Sequence, residues 1–399
     1  MKDSRVDVAV VGGGPAGALT AMLLASRGRE VVVLERAPRW RWRACGVFAS
    51  PASVAALRSM GLGESELELM ARPVAAMRVE TPGGASFRLT YGGSGGLDDS
   101  AVGFDRSTLD PLLLERARSA GAEVRLGATV EQVALAGDHA RLVTSDDRSE
   151  LKARVVVGAD GLRSLVARTA GVERTAPLGP RAALTFHLAD SWGERDARMV
   201  VIADGYVGIA PVPGGRVNVG IVLGRSWFAS LRREGGRAVA QAFCARVLPA
   251  GAAFAEAPLP LDRVAGVTPL GHAVARRAGA QWLLVGDAAG FLDPFTGEGI
   301  HRAIASAELA ATTIDAVLAG RAGSRLEDYD RAMRAGFATK DLVSRIVQGF
   351  LGRPGLFEYA ARRLAARDRV RATMGLVMGD IVPAARVLDP RFLAALLAP

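Results

Sequence analysis

Cysteine is scarce in this chain. Cys45 and Cys244 are the only two, far apart, so no disulfide framework and no cysteine-based metal pattern can be built. Histidine is scarce as well, with four residues scattered over 399 positions and no H-E-x-x-H, so no metal site is expected. Lysine occurs only at 2, 152 and 340, and arginine therefore carries nearly all of the net charge of +9. The arginines form no stripe interleaved with aromatic residues, which are 6% of the chain, so nucleic-acid binding is not expected. Attraction to anionic cofactors, or weakly to a membrane surface, remains open. Long hydrophobic runs are missing too. Asp7 interrupts the apolar stretch near the N-terminus, leaving neither a signal-peptide core nor a membrane span, and a cytoplasmic, soluble protein is expected.

What is present points to a two-domain α/β protein. Half of the residues are hydrophobic and 23% are charged, ordinary values for a globular chain long enough to bury a sizeable core. The most informative stretch is Val6–Gly17, V-D-V-A-V-V-G-G-G-P-A-G. Its apolar part predicts a buried strand, and Gly12, Gly14 and Gly17 form G-x-G-x-x-G at the strand exit, with Pro15 and Ala16 inside the motif. An apolar helix is predicted over Ala18–Ser26 and a second strand over Glu30–Leu34, ending at Glu35. This is the βαβ arrangement of a dinucleotide site, in which the helix N-terminus faces a pyrophosphate and the terminal acid accepts from a ribose diol.

Further along, Arg36–Arg43 is a basic stretch carrying Trp40 and Trp42, followed by Ala44-Cys45-Gly46 and Ser50-Pro51 before a helix near Ala52–Met60. Val74–Glu80 and Ser86–Tyr91 predict a β-hairpin, and Gly92–Gly96 a flexible loop. Phe104-Asp105-Arg106 precedes a helix over Ser107–Ala120 with Ser107 as N-cap and Asp110 at its third position. Short strands are expected at Glu123–Leu126, Val130–Ala136, Ala140–Thr144 and Glu150–Ala153, then a buried strand Val155–Gly158 leading into Asp160-Gly161 and a helix opened by Ser164. Ala182–Leu188, Met199–Ile202, Tyr206–Ala210 and Val217–Leu223 predict a separate, mostly antiparallel sheet. Trp227–Leu248 is helical with a break at Gly235-Gly236, and Val264–Pro269 returns as a strand. Trp282–Val285 runs into Gly286-Asp287, then Asp293-Pro294-Phe295-Thr296-Gly297-Glu298-Gly299-Ile300 opens a long helix to Leu318. From Arg353 a basic helical tail is expected, with breaks at Pro383 and Pro390.

Three distant segments therefore converge on one cofactor: Gly12–Gly17, Asp160-Gly161 and Gly286-Asp287. This triple pattern resembles the superfamily of flavin-dependent aromatic hydroxylases (group A monooxygenases) and geranylgeranyl reductases. Ala44-Cys45-Gly46 with Pro51, Phe104-Asp105-Arg106, Pro294–Ile300 and the tail Gly379-Asp380…Pro383…Val387–Leu393 place it nearer to the geranylgeranyl-reductase type. The aromatic hydroxylases more often carry G-G-Q-G where Gly297-Glu298-Gly299 stands here.

The resemblance implies a Rossmann-like FAD-binding domain of the glutathione-reductase type, an interleaved antiparallel-sheet substrate domain and a helical C-terminal tail. The expected bounds are 1–73, 101–175 and 266–335 for FAD, 74–100 and 176–265 for substrate, and 336–399 for the tail. It also implies FAD contacts at Gly12, Gly14, Pro15, Ala16, Gly17, Glu35, Arg36, Cys45, Gly46, Arg106, Val130, Asp160, Gly161, Gly286, Asp287, Pro294, Gly297, Gly299 and Ile300. The backbone at Gly299-Ile300 would present a helix N-terminus to the negative charge of a reduced flavin. Arg106 resembles the arginine on the pyrophosphate side.

One departure concerns substrate. Geranylgeranyl reductases carry a strand P-x-x-Y-x-W-x-F-P along their cavity. Here the stretch reads Ala203-Asp204-Gly205-Tyr206-Val207-Gly208-Ile209-Ala210-Pro211, with Gly208 and Ala210 in place of the two large rings. Tyr206, Gly208 and Ala210 share one strand face, so a broader cavity for a bulky hydrophobic or polycyclic substrate is expected. The W-x-W-x-I-P element of flavin halogenases is also missing.

Cys45, Tyr206 and His187 are the candidate catalytic residues. Cys45 is either a thiol beside the flavin ring or an inert buried cysteine. His187, which alternates with Thr185 and Ala183, is expected to face outward, with protonation of a substrate as its other role. His301 stabilises the helix start or takes part in catalysis, and Glu298 scaffolds its loop. The expected activity is that of an FAD-dependent oxidoreductase using NAD(P)H as transient reductant, since no second G-x-G-x-x-G domain is visible. Hydride transfer to a C=C bond is favoured; hydroxylation through a flavin C4a-hydroperoxide, then halogenation, then electron carriage without turnover are the alternatives. The tail either caps the cavity, touches a membrane surface or is a solvated face. The oligomeric state has no sequence signal.

Overall fold

The computed structural model describes residues 4–92, 96–97, 100–145, 150–190, 193, 195–202, 204–247 and 262–398. Most of the expected loop Gly92–Gly96, the helix end at Leu248 and Ala203 lie outside these residues.

Two sheets organise the molecule. The first has at its centre the parallel strands Ser4–Val11, Val31–Glu35, Glu150–Gly158 and Trp282–Leu284. Alternate residues of these strands feed two separate cores. Val8, Val10, Val31, Val33, Val155 and Val157 pack under the helices Pro15–Ala25, Arg106–Ser119 and Gly299–Leu318. Ala9, Val11, Val32, Leu34, Val156 and Leu284 form the opposite layer. A parallel sheet covered on both faces explains why these strands read as unbroken apolar runs. The first helix begins at Pro15, three residues before the predicted start, because proline is preorganised for the first helical position.

The second sheet has seven strands and is antiparallel except where Ala197–Ile202 pairs with Ala76–Glu80. Phe186, Val207, Ile209, Val219 and Ile221 project from one face onto the helix Phe228–Val247, whose expected break is the non-helical Gly235. The other face, carrying Tyr206 and Met199, meets Leu162, Phe291 and Phe295 of the first unit and Phe357 and Leu364 of the C-terminal helices.

Several boundaries differ from expectation. The predicted strand Val74–Glu80 is two strands, because the Ala75 N–H turns aside to the Arg195 carbonyl at 3.1 Å. The strands predicted at Glu150–Ala153 and Val155–Gly158 are one strand of nine residues. A helix over Glu64–Met70 was not anticipated; its start is held by the Glu66 carboxylate accepting from the Gly63 N–H. The helix after Phe104 is capped by Asp105, not Ser107: the Asp105 carboxylate takes both the Ser107 N–H and its hydroxyl. Asp110 is thereby left to pair with Arg106. The helix Glu327–Leu351 runs without interruption.

Candidate active site

The exit of the first strand is shaped by steric necessity. Gly12 adopts φ +104°, a conformation that side-chain-bearing residues rarely take, and a Cβ there would strike the Ala159 carbonyl. A Cβ on Gly17 would strike the Gly12 carbonyl, so this glycine is what brings the helix down onto the turn. Gly14, Gly46, Gly161 and Gly299 behave oppositely, since a Cβ on any of them would meet no atom of the chain within 4 Å. Each of them faces open space, the room that a cofactor cradle needs.

The polar atoms around this cradle fit FAD. Asp160 uses one carboxylate oxygen to accept from the Leu165 N–H at 2.6 Å, while its buried Oδ1 has no partner. Burial raises the pKa of this group, against the hydrogen bonds that lower it. The Asp287 carboxylate accepts no hydrogen bond from the described residues, and burial raises it to about 6 despite the opposing charges of Arg106 and Arg302. An unsatisfied acceptor oxygen is costly in a folded protein, and ligand hydroxyls are the natural donors. The Gly286 N–H is held by the Ser306 hydroxyl at 2.9 Å, and Ser164 caps the helix that follows Gly161.

Other expected contacts are more occupied than the sequence suggested. The Glu35 carboxylate is buried and already accepts from the Gly13 N–H at 2.8 Å, the Ala37 N–H at 2.9 Å and Arg43 at 3.0 Å. It thus shapes the glycine turn directly, with only its remaining lone pairs available to a ribose. The Arg106 guanidinium grips Asp110 through two bonds and donates to the Gly46 carbonyl at 2.8 Å. It anchors the Cys45-Gly46 segment while placing positive charge beside Asp287. Cys45 is neutral at physiological pH, since burial pushes its thiol up to about 11. Arg36 is exposed, Val130 opens its strand against the second core layer, and Ala16 lies against Gly286.

The loop before the long helix is clamped. Pro294–Thr296 is one helical turn capped by Asp293, Gly297 packs its backbone on the Phe48 ring, and Ile300 is buried. Glu298 accepts from the Ser344 hydroxyl at 3.1 Å and lies 3.5 Å from Arg302 and 3.9 Å from Lys340, consistent with a scaffold. His301 stacks edge-on with Phe337, and its Nδ1 has no partner.

Opposite this loop lies the second sheet. Three cross-strand rows face it: His187–Asn218–Ala210, then Thr185–Gly220–Gly208–Met199, then Ala183–Val222–Tyr206–Val201. The two glycines of the middle row are neighbours. A Cβ on Gly208 would only touch Met199 at 3.4 Å, and one on Gly220 would meet nothing nearer than the Gly208 carbonyl at 3.9 Å. A shallow strip therefore runs across the sheet. Along the expected opening Tyr206 and Ala210 are both buried by neighbours, and Gly208 is half-buried.

Tyr206 closes one side of the strip. Its hydroxyl donates to Asp293 at 2.6 Å, and its ring meets Phe295 edge-on. Asp293 also accepts from the Phe295 N–H and from Gln348 and pairs with Arg181 at 2.5 Å. Burial and the adjacent carboxylate hold the Tyr206 hydroxyl well above its ordinary pKa, so it stays protonated. Gln348 and Phe357 come from the tail, which thus caps this end. Arg181, Gln348, Phe48 and Asp262 had no local sequence signal.

His187 closes the other side, and here the expectation fails. It does not face outward: the residue is buried, with the Trp42 ring tilted against its own at 4.4 Å. The alternation misled because both faces of this strand are covered.

A model of the FAD binding domain family matches residues 5–343, and the chain belongs to that family. It is an FAD-dependent oxidoreductase. It is 30% identical over 346 residues to a menaquinone reductase of Mycobacterium tuberculosis (strain CDC 1551 / Oshkosh), covering 78% of this chain and 77% of that one. It is 31% identical over 321 residues to digeranylgeranylglycerophospholipid reductase 2 of Methanopyrus kandleri, covering 76% and 75%. The crystal structure of a geranylgeranyl bacteriochlorophyll reductase-like protein from Thermoplasma acidophilum shares the fold, with TM-score 0.77 at 22% identity over 97% of this chain and 99% of that one.

Asp287 yields a pH prediction. An unfolded carboxyl titrates near 3.8 and the folded one near 6, so between these values the folded state holds the extra proton. As pH rises through that window the apo fold loses stability, by about 3 kcal/mol at most. Hydroxyl donors of a bound FAD at this carboxylate would favour the ionised form and expel the proton. FAD affinity of the apoprotein is therefore expected to rise between about pH 4 and 6 and then level off, whereas D287N shows no such step. Fluorescence titration of FAD across this range measures it.

Proposed function

We propose that this protein is a reductase that delivers a hydride to a C=C bond of a bulky, apolar, lipid-like substrate. The observation that carries the reading is the strip over Gly220 and Gly208, facing the Pro294–Ile300 loop and bounded by Tyr206 and His187. Bound FAD supplies the hydride, after reduction by NAD(P)H acting transiently. The residues of the chain have the tasks of holding the ring against the strip, excluding water and managing the proton. Trp42, Phe48 and Phe295 are the apolar walls that keep water out.

Two further features support an apolar substrate. The relatives named above are reductases of a quinone and of a lipid. Six of the eight exposed large hydrophobics among the described residues lie in the C-terminal region, Leu342, Ile346, Leu356, Tyr359 and Leu397 on its helices and Ile381 in a bend between them, and no described helix is long and apolar enough to cross a membrane. Such a surface suits a protein that collects its substrate from a lipid phase without spanning it.

The test is anaerobic. The holoprotein is bleached with NADPH or NADH and mixed in one syringe with an unsaturated menaquinone in detergent, in another with a digeranylgeranyl lipid, and in a third with oxygen. Reoxidation by one of the alkenes, with two hydrogens gained in the product by mass spectrometry, is the expected result. An oxygen-dependent transient in the flavin absorption, with no response to any alkene, would replace the reductase reading with a monooxygenase.

A further inference from the structure

His187 sits in a constellation that packing alone does not require. Its backbone N–H donates to Asp262 Oδ1 at 2.9 Å, and its ring Nδ1 lies 2.6 Å from Asp262 Oδ2. A carboxylate accepts, so Nδ1 carries the proton and Nε2 is turned the other way. The Nε2 side holds only the Asn218 amide, at 3.5 Å, too long to occupy it fully. That amide is held instead by the Thr185 hydroxyl at 3.1 Å. Trp42 fixes the ring from above, donating its own Nε1–H to the Thr185 carbonyl at 3.1 Å. The imidazole is only 3% exposed, whereas the Asp262 carboxylate is 27% exposed. Water thus meets the carboxylate more freely than the ring.

The placement matters as much as the bonding. His187 pairs with Asn218, two residues from Gly220, on the face that carries the glycine strip. Diagonal neighbours across antiparallel strands stand about 7–8 Å apart, within reach of a side chain as long as histidine. The ring is therefore on the wall of the strip.

We propose that His187 is the proton donor to the substrate, with Asp262 as its positioning residue. This rests on the reductase reading above. Reduction of a C=C bond needs a hydride and a proton. Nδ1 keeps its own proton on Asp262, so Nε2 first takes one from solvent entering the strip and the ring becomes the imidazolium; the hydride then forms one C–H bond, and the π electron pair forms the second with the proton that leaves Nε2. The cofactor is oxidised, the alkene is reduced, and the ring returns to its neutral Nδ1–H form. While the ring is charged, the Asp262 carboxylate compensates it, and it locks the tautomer that keeps Nε2 toward the strip.

With four histidines in the chain, ¹⁵N spectra of the holoprotein can be assigned one by one. His187 is expected to carry its proton on Nδ1, with a strongly downfield resonance that D262N abolishes. A proton resident on Nε2 alone, with Nδ1 bare, overturns the proposal whether or not any alkene is turned over. The second arm uses the unsaturated menaquinone and the digeranylgeranyl lipid as probes. H187Q and D262N are expected to hold FAD in wild-type amount. Reoxidation of the reduced protein by whichever probe the wild type accepts is expected to slow by about 10²–10⁴-fold in H187Q. Imidazole should restore part of the rate in H187A, and D262E part of it relative to D262N. Wild-type rates in H187Q overturn the proposal. If neither probe reoxidises the wild type, the reductase reading fails separately, and the tautomer measurement still decides the role of the ring.

Discussion

Gly14→Ala is expected to leave the protein folded and strip it of FAD. Gly14 has φ −73° and ψ 179°, extended geometry that alanine adopts without strain, and no atom of the chain lies within 4 Å of the added methyl. The apoprotein should therefore unfold within about 0.5 kcal/mol of the wild type. The same methyl projects into the cradle where backbone N–H groups must approach a pyrophosphate. FAD affinity is expected to fall at least about 100-fold, roughly 2.7 kcal/mol, and the purified protein to be colourless. Gly17→Val is the contrasting case. Its Cβ collides with the Gly12 carbonyl and comes within 2.9 Å of Ala159, so fold and flavin should be lost together. Equilibrium unfolding beside FAD titration separates the two outcomes. A yellow Gly14→Ala protein with wild-type affinity would place the cofactor elsewhere.

Asp293→Ala is expected to give the largest loss of stability, about 3–5 kcal/mol. The carboxylate accepts from the Tyr206 hydroxyl at 2.6 Å, Gln348 at 2.7 Å and the Phe295 N–H at 2.9 Å, and pairs with Arg181 at 2.5 Å. Four groups from three parts of the chain lose this acceptor at once, and the half-buried Arg181 guanidinium, still bonded to Gln348 and the Leu292 carbonyl, is left without its counter-charge. Tyr206→Phe removes one of those bonds and should cost about 1–2 kcal/mol. The double variant should cost less than the sum, because both changes break the same contact. Urea midpoints of the four proteins measure the cycle, and strict additivity would show that the hydroxyl and the carboxylate are not coupled. Since this knot joins the second sheet, the Pro294–Thr296 turn and the tail, its loss should also loosen the cofactor loop.

The dinucleotide unit was legible because its signals are local. Apolar alternation, three glycines at defined offsets and an acid at the end of the next strand all fall between Val6 and Glu35. The antiparallel sheet was legible for the same reason. Where neighbours compete for one task, the sequence misled: Asp105 and Ser107 both suit an N-cap, and the carboxylate took it because it could accept from two donors on Ser107. His187 misled because a strand with both faces covered has no outward side for a polar residue to take.

What the sequence by itself determined is the glycine turn after the first strand and the kind of fold that carries it, since backbone conformation and close approach depend on residues within a few turns of one another. Only the tertiary structure decided what stands around the reaction space. His187 meets Asp262 across 75 residues, Tyr206 meets Asp293 across 87, and Gln348 reaches the same carboxylate across 55. Such partners are chosen by how sheet, loop and tail pack together, and no spacing along the chain encodes that choice.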